Sequence, residues 1–121
     1  MAKSFRLERL NESIKELLGE MILGRIKDPR VGLVTITGVD VARDLVSAKV
    51  YYTVMGGDQE RSESLEGLES AKNFLRKAVA RELKLRNAPD FHFVYDDSLD
   101  RSIQLEDTLR HIKEEDRKRK P

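Results

Sequence analysis

Six basic residues, Lys72, Arg76, Lys77, Arg81, Lys84 and Arg86, fall within positions 72–86, where Glu82 is the one acid. Positions 58–71 just before them carry five acids and one base, so the sign of the charge reverses between Ala71 and Lys72. A helix dipole favours acids early and bases late, which accounts for the direction of this trend. It does not call for six bases. A run that basic on a solvent-facing helix offers a row of cations to a phosphate backbone. Two further clusters could extend the footprint: Arg25, Lys27 and Arg30, and the terminal Arg117, Lys118, Arg119 and Lys120. Each also has an ordinary role, the first at a helix C-terminus and the second in keeping the chain soluble.

Other chemistries find little support. The absence of cysteine excludes disulfides, thiolate metal sites and thiol catalysis. Gly56-Gly57 is followed by no Lys-Ser/Thr pair and reads as a turn, not as a phosphate loop. His92 lies between two phenylalanines and reads as structural, and His111 has no partner at ligand spacing. Asp96-Asp97 before Ser98 suits a turn or a helix cap better than a cation site. No acid, base and nucleophile converge, so neither catalysis, metal nor cofactor is expected. Aromatic residues are few. Phe91, Phe93 and Tyr95 alternate on one strand face that a core would use, which leaves Tyr51 as the best exposed ring. Recognition of a nucleic acid would therefore rest on phosphates more than on stacked bases.

The chain has 121 residues, with 23 Lys plus Arg against 22 Asp plus Glu, a formal charge of +1 although 37% of residues are charged. Such a total argues against a simple polycation, but it conceals the segregated charges of 58–86. The length fits one domain. Charges interrupt the first residues every two or three positions, and no apolar run approaches the ~18 residues of a membrane span. A soluble, cytoplasmic protein is expected.

The elements that must position these groups follow from periodicity. Leu7, Leu10, Ile14, Leu17 and Met21, widened by Leu18 and Ile22, predict an amphipathic helix over 7–26. Gly19 within it suggests close packing, and Gly24 and Asp28-Pro29 end it. The β-branched run 33–41 predicts a strand with a bulge at Gly38. Strict alternation of Val46, Ala48, Val50, Tyr52 and Val54 predicts a second strand, paired with the first as an antiparallel hairpin. Leu65, Leu68, Ala71, Leu75, Val79 and Leu83 predict a long helical stretch over about 62–86, capped by a left-handed Asn87. A third strand follows at 91–96. A weak helix around Ile103, Leu109 and Ile112 and a flexible charged tail over 113–121 complete the chain, which makes 1–112 the domain. Three strands covered on one face by helices form an α+β sandwich.

That order matches the type II KH arrangement, and several segments resemble one family with it. Asp28-Pro29-Arg30-Val31 is followed by 34–45 (VTITGVDVARDL), then Ala48-Lys49-Val50-Tyr51-Tyr52. Phe74-Leu75-Arg76 leads to Leu83-Lys84-Leu85-Arg86-Asn87-Ala88-Pro89, and 91–98 (FHFVYDDS) closes the match. Over about residues 3 to 112 the chain resembles bacterial ribosome-binding factor A. The resemblance implies a non-catalytic factor that binds the small (30S) ribosomal subunit and its rRNA in late maturation, assists rRNA processing and is often linked to cold adaptation. It also implies contact with ribosomal proteins and a monomer when free. In this family a tight interhelical kink of the form Ala-x-Gly replaces the GxxG loop of other KH domains. The matching residues are Ala71, Lys72 and Asn73, so asparagine stands where glycine is usual. Asparagine tolerates left-handed backbone better than other non-glycine residues. Lys72 and Asn73 would then sit at the apex of the kink, with Arg76, Lys77, Arg81, Lys84 and Arg86 presented to RNA by the next helix.

The residues also admit another class of function. The acidic 58–71 and basic 72–86 halves could bind a protein partner or a second copy of the chain. Salt-sensitive dimerisation without response to RNA would mark that reading.

Overall fold

The computed structural model describes residues 2–98, with side chains from residue 6 onward. The expected C-terminal helix, the tail and its four bases, His111 and the domain limit at 112 lie outside the described residues. Helix α1 spans Ala2–Gly24. The apolar stripe expected of it is the buried one: Ile14, Leu17, Leu18, Met21 and Ile22 enter the core, and Leu7 and Leu10 pack at its margin. Gly19 does not serve close packing, since among the described residues nothing lies within 4 Å of where its Cβ would be. After the helix, Asp28 caps a single 3-10 turn, Pro29–Val31, by accepting a hydrogen bond from the Arg30 backbone N–H.

Strands β1 (Val34–Val41) and β2 (Ser47–Val54) form the expected antiparallel hairpin. The register slips between Ile36 and Gly38, so Thr37 is the extra residue of a bulge. This slip reverses which residues face the core. Before it Val34 and Ile36 are buried; after it Val41 is, with Val39 packed at the core margin. All four lie opposite core-facing residues of β2: Val54, Tyr52, Ala48 and Val50. Without the extra residue, one half of β1 would turn its apolar side chains to water.

Helix α2 (Asp58–Glu82) carries the chain to β3 (Asp90–Tyr95), which joins β2 in parallel and sets the sheet order β1-β2-β3. Parallel pairing of β2 and β3 needs a crossover, and α2 supplies it. Phe91 is fully buried, while Phe93 and Tyr95 border the core. Burial of Phe91, Leu68 and Leu75 stabilises the fold by about 1.5–3 kcal/mol each. Opposite the core, Thr35, Lys49 and His92 are exposed, so among the described residues the helices cover one face of the sheet.

Two expectations about α2 are corrected. The helix continues unbroken through Ala71, Lys72 and Asn73, and Asn73 does not adopt left-handed backbone. Leu68, Ala71, Leu75 and Val79 keep one apolar face across this point, and packing that face on the sheet favours a straight run of helical hydrogen bonds. The left-handed residue at the helix end is Lys84 (φ 55°), not Asn87. There the Leu85 N–H donates to Ala80 O at 2.8 Å and the Lys84 N–H to Arg81 O at 3.4 Å, while Leu85 packs against the core. This is the Schellman arrangement, with lysine in the position glycine usually takes.

Candidate nucleic-acid interface

The basic half of α2 does not act as one row. Arg76 is turned inward: its Nε donates to Pro89 O at 3.0 Å and a terminal nitrogen to Ala88 O at 3.3 Å. It ties the helix to the segment entering β3. Lys72 is drawn toward the sheet, 2.8 Å from Glu69 and over the ring of Phe93. The other four, Lys77, Arg81, Lys84 and Arg86, are exposed, and among the described residues none forms an ion pair. Asn73 is exposed on the same helix.

The accessory cluster divides in the same way. Arg30 holds Asp28 through three side-chain contacts of 2.6 to 3.0 Å, reaches Ser70 at 3.4 Å, and lies 3.8 Å from Glu66. That hydrogen bonding holds the Asp28 carboxyl below the usual carboxylate range and raises the Arg30 guanidinium. Arg30 therefore fastens the 3-10 turn to the acidic half of α2. Arg25 pairs with Glu82 and so neutralises the acid of the basic segment. The pair also brings the end of α1 to the C-terminal end of α2. Lys27, two residues on, is exposed.

Of the remaining polar candidates, Asp96 has a structural role. Asp96 accepts from Thr37 Oγ1 at 2.7 Å and from the Ser98 N–H at 3.0 Å, so it fastens the bulge of β1 and shapes the turn after β3. His92 projects from the open sheet face, 3.6 Å from Asp90. Tyr51, the ring expected to be most exposed, is half-buried. The ring that sequence reasoning passed over is Phe74, which is 49% exposed on α2. Its signal was present in the helical spacing: Phe74 falls outside the Leu68, Ala71, Leu75, Val79 stripe and on the side of Lys77 and Arg81.

The structure thus offers a helix end with four cations that form no ion pair among the described residues. A family model described as ribosome-binding factor A matches residues 6–109. This chain belongs to the ribosome-binding factor A family. The ribosome-binding factor A of Thioalkalivibrio sulfidiphilus is 42% identical over 116 residues, covering 96% of this chain and 90% of that one. The crystal structure of ribosome-binding factor A from Thermus thermophilus superposes with a TM-score of 0.65 at 27% identity, over 74% of this chain and 94% of that one. A Thermus thermophilus ribosome-binding factor A homology model, fitted into a cryo-EM map of a 30S complex, gives a TM-score of 0.59 at 26% identity. It covers 72% of this chain and 91% of that one. Within this α+β, type II KH-like fold, four exposed cations of the chain, Lys77, Arg81, Lys84 and Arg86, fall in and just beyond the second half of the long helix.

Proposed function

We propose that this chain binds the small ribosomal subunit through its rRNA during late maturation and assists rRNA processing without catalysing a step itself. The observation that supports this most is the group of exposed cations carried by the second half of α2 and the residues just after it: Lys77, Arg81, Lys84 and Arg86. Phosphate oxygens of rRNA are the anions such a group suits, because a phosphate backbone presents charge at regular spacing along a strand. Family membership and the relative fitted to a 30S complex support the small subunit as the bearer of that RNA. Lys72, Asn73 and Arg76 take a smaller part, Lys72 and Arg76 because their side chains are engaged within the fold.

The test is co-sedimentation with purified immature small subunits, comparing the native chain with Lys77→Glu/Arg81→Glu. Both positions are exposed, so the double variant should melt at the native temperature yet lose most of its binding. Binding of the native chain should weaken log-linearly with salt, by ~0.7 per phosphate contact at single-stranded sites, and the variant's slope should be shallower by more than one unit. Native binding by the variant would refute the assignment. The free chain should sediment as a monomer at all salt concentrations, whereas salt-sensitive dimers would favour pairing of the acidic and basic halves of α2 between copies.

A further inference from the structure

Phe74 stands out on the outer side of α2. Its neighbours Leu75, Ala78 and Val79 are buried, yet its own ring is 49% exposed. Among the described residues it enters no ring–ring or cation–π contact, in contrast to Phe93 under Lys72 and Tyr95 under Arg61. A single exposed apolar side chain is ordinary on a protein surface. This one has particular company. Residues three and four apart on a helix are surface neighbours, so Phe74, Lys77 and Arg81 form one line on the solvent face, with Asn73 beside its start. The line covers roughly 10 Å of helix.

We infer that Phe74 is a stacking platform for an unpaired base of single-stranded RNA, with Lys77 and Arg81 holding phosphates of the same strand. This rests on the RNA-binding reading above and adds to it the form of RNA preferred. A phenyl ring offers any base a flat apolar face, so the contact tolerates sequence. It discriminates against duplex, whose bases are already stacked on one another and cannot reach the ring. Cations alone would not make that distinction. The charge around the ring also selects the occupant, because an apolar peptide segment would meet two exposed cations at its edge whereas a nucleotide brings its own anion.

The chain contains no tryptophan, so Phe74→Trp installs a single reporter at the site. Titrating that variant of the full chain with a short single-stranded oligoribonucleotide should quench its fluorescence, and a duplex of the same sequence should leave it nearly unchanged. Phe74→Leu keeps an apolar side chain but removes the π face. It should weaken binding to the single strand roughly tenfold or more while leaving duplex binding and the salt slope as they were. Phe74→Tyr should bind like the native chain. Native affinity of Phe74→Leu for the single strand, with no quenching in Phe74→Trp, would overturn the stacking platform while leaving the phosphate contacts standing, provided Lys77→Glu/Arg81→Glu still loses binding. Failure of the native chain to bind either RNA would overturn both. A loss in Phe74→Leu confined to immature subunits, with the oligonucleotide bound normally, would assign the ring to a protein contact and also overturn it.

Discussion

Residues of one chemical type have different duties here, and partners decide which. Arg76 and Lys77 are adjacent and both basic, yet one is bonded to two backbone carbonyls and the other faces water. Arg76→Ala should therefore cost about 1–2 kcal/mol of stability, seen as a lowered thermal midpoint, through the loss of two charge-assisted hydrogen bonds. Lys77→Ala should leave the midpoint within experimental error and weaken RNA binding instead. The two cannot be told apart from type or from helical spacing, because Arg76 lies at the border of the buried face and its acceptors are the carbonyls of Ala88 and Pro89, more than ten positions away. Asp28 and Arg30 are a second case: Arg30 read in the sequence as one of a basic cluster, and the structure engages it with the Asp28 that caps the 3-10 turn. Folding lowers the Asp28 pKa from its usual 3.8 through the hydrogen bonds from Arg30. The stability contributed by this carboxylate is thus fully present above pH ~3.8 and is lost as the pH falls through the lowered value. Asp28→Asn should flatten that part of the acid-unfolding profile.

Among the elements, strands were more legible than helix interiors. Alternation of Ala48, Val50, Tyr52 and Val54 fixes one face of β2, and the partners on β1 must match it. The bulge was legible because Gly38 interrupts a β-branched run, although the inserted residue is Thr37. Helices conceal more. Of the glycines inside them, Gly19 attracted the packing argument, but Gly67 carries it: a Cβ there would lie 2.9 Å from Val31 Cγ1 and 3.0 Å from Arg30 Cβ. Gly67→Ala should destabilise by about 1 kcal/mol or more, the clash with the 3-10 turn outweighing the gain in helix propensity. Gly19→Ala should stabilise by about 0.5–1 kcal/mol. Both are measurable by denaturant titration. The end of α2 adds an opposition between stability and binding. Lys84 holds a left-handed conformation at a cost of about 1–2 kcal/mol relative to glycine, part of which glycine's greater unfolded-state freedom offsets. Lys84→Gly should raise the midpoint slightly and lower RNA affinity, since it removes an exposed cation.

For the molecule as a whole, a net charge of +1 is the residue of a cancellation with a spatial pattern. The acidic half of α2 is anchored by Arg30, and Glu82 in the basic half is neutralised by Arg25. One end of the domain is left with exposed cations. The segregation along α2 was visible in the sequence, but its sorting was not: which bases are engaged depends on how α1, the 3-10 turn and the entry to β3 fold against that helix. The most direct measurement is site-specific photocrosslinking on purified immature small subunits, with the probe placed at Lys77, at Arg81 and, on the opposite sheet face, at Lys49. The expected result is crosslinking to rRNA from Lys77 and Arg81, diminishing as salt rises, with little from Lys49. Crosslinks from Lys77 and Arg81 to ribosomal proteins alone, or to rRNA chiefly from Lys49, would contradict the proposed interface.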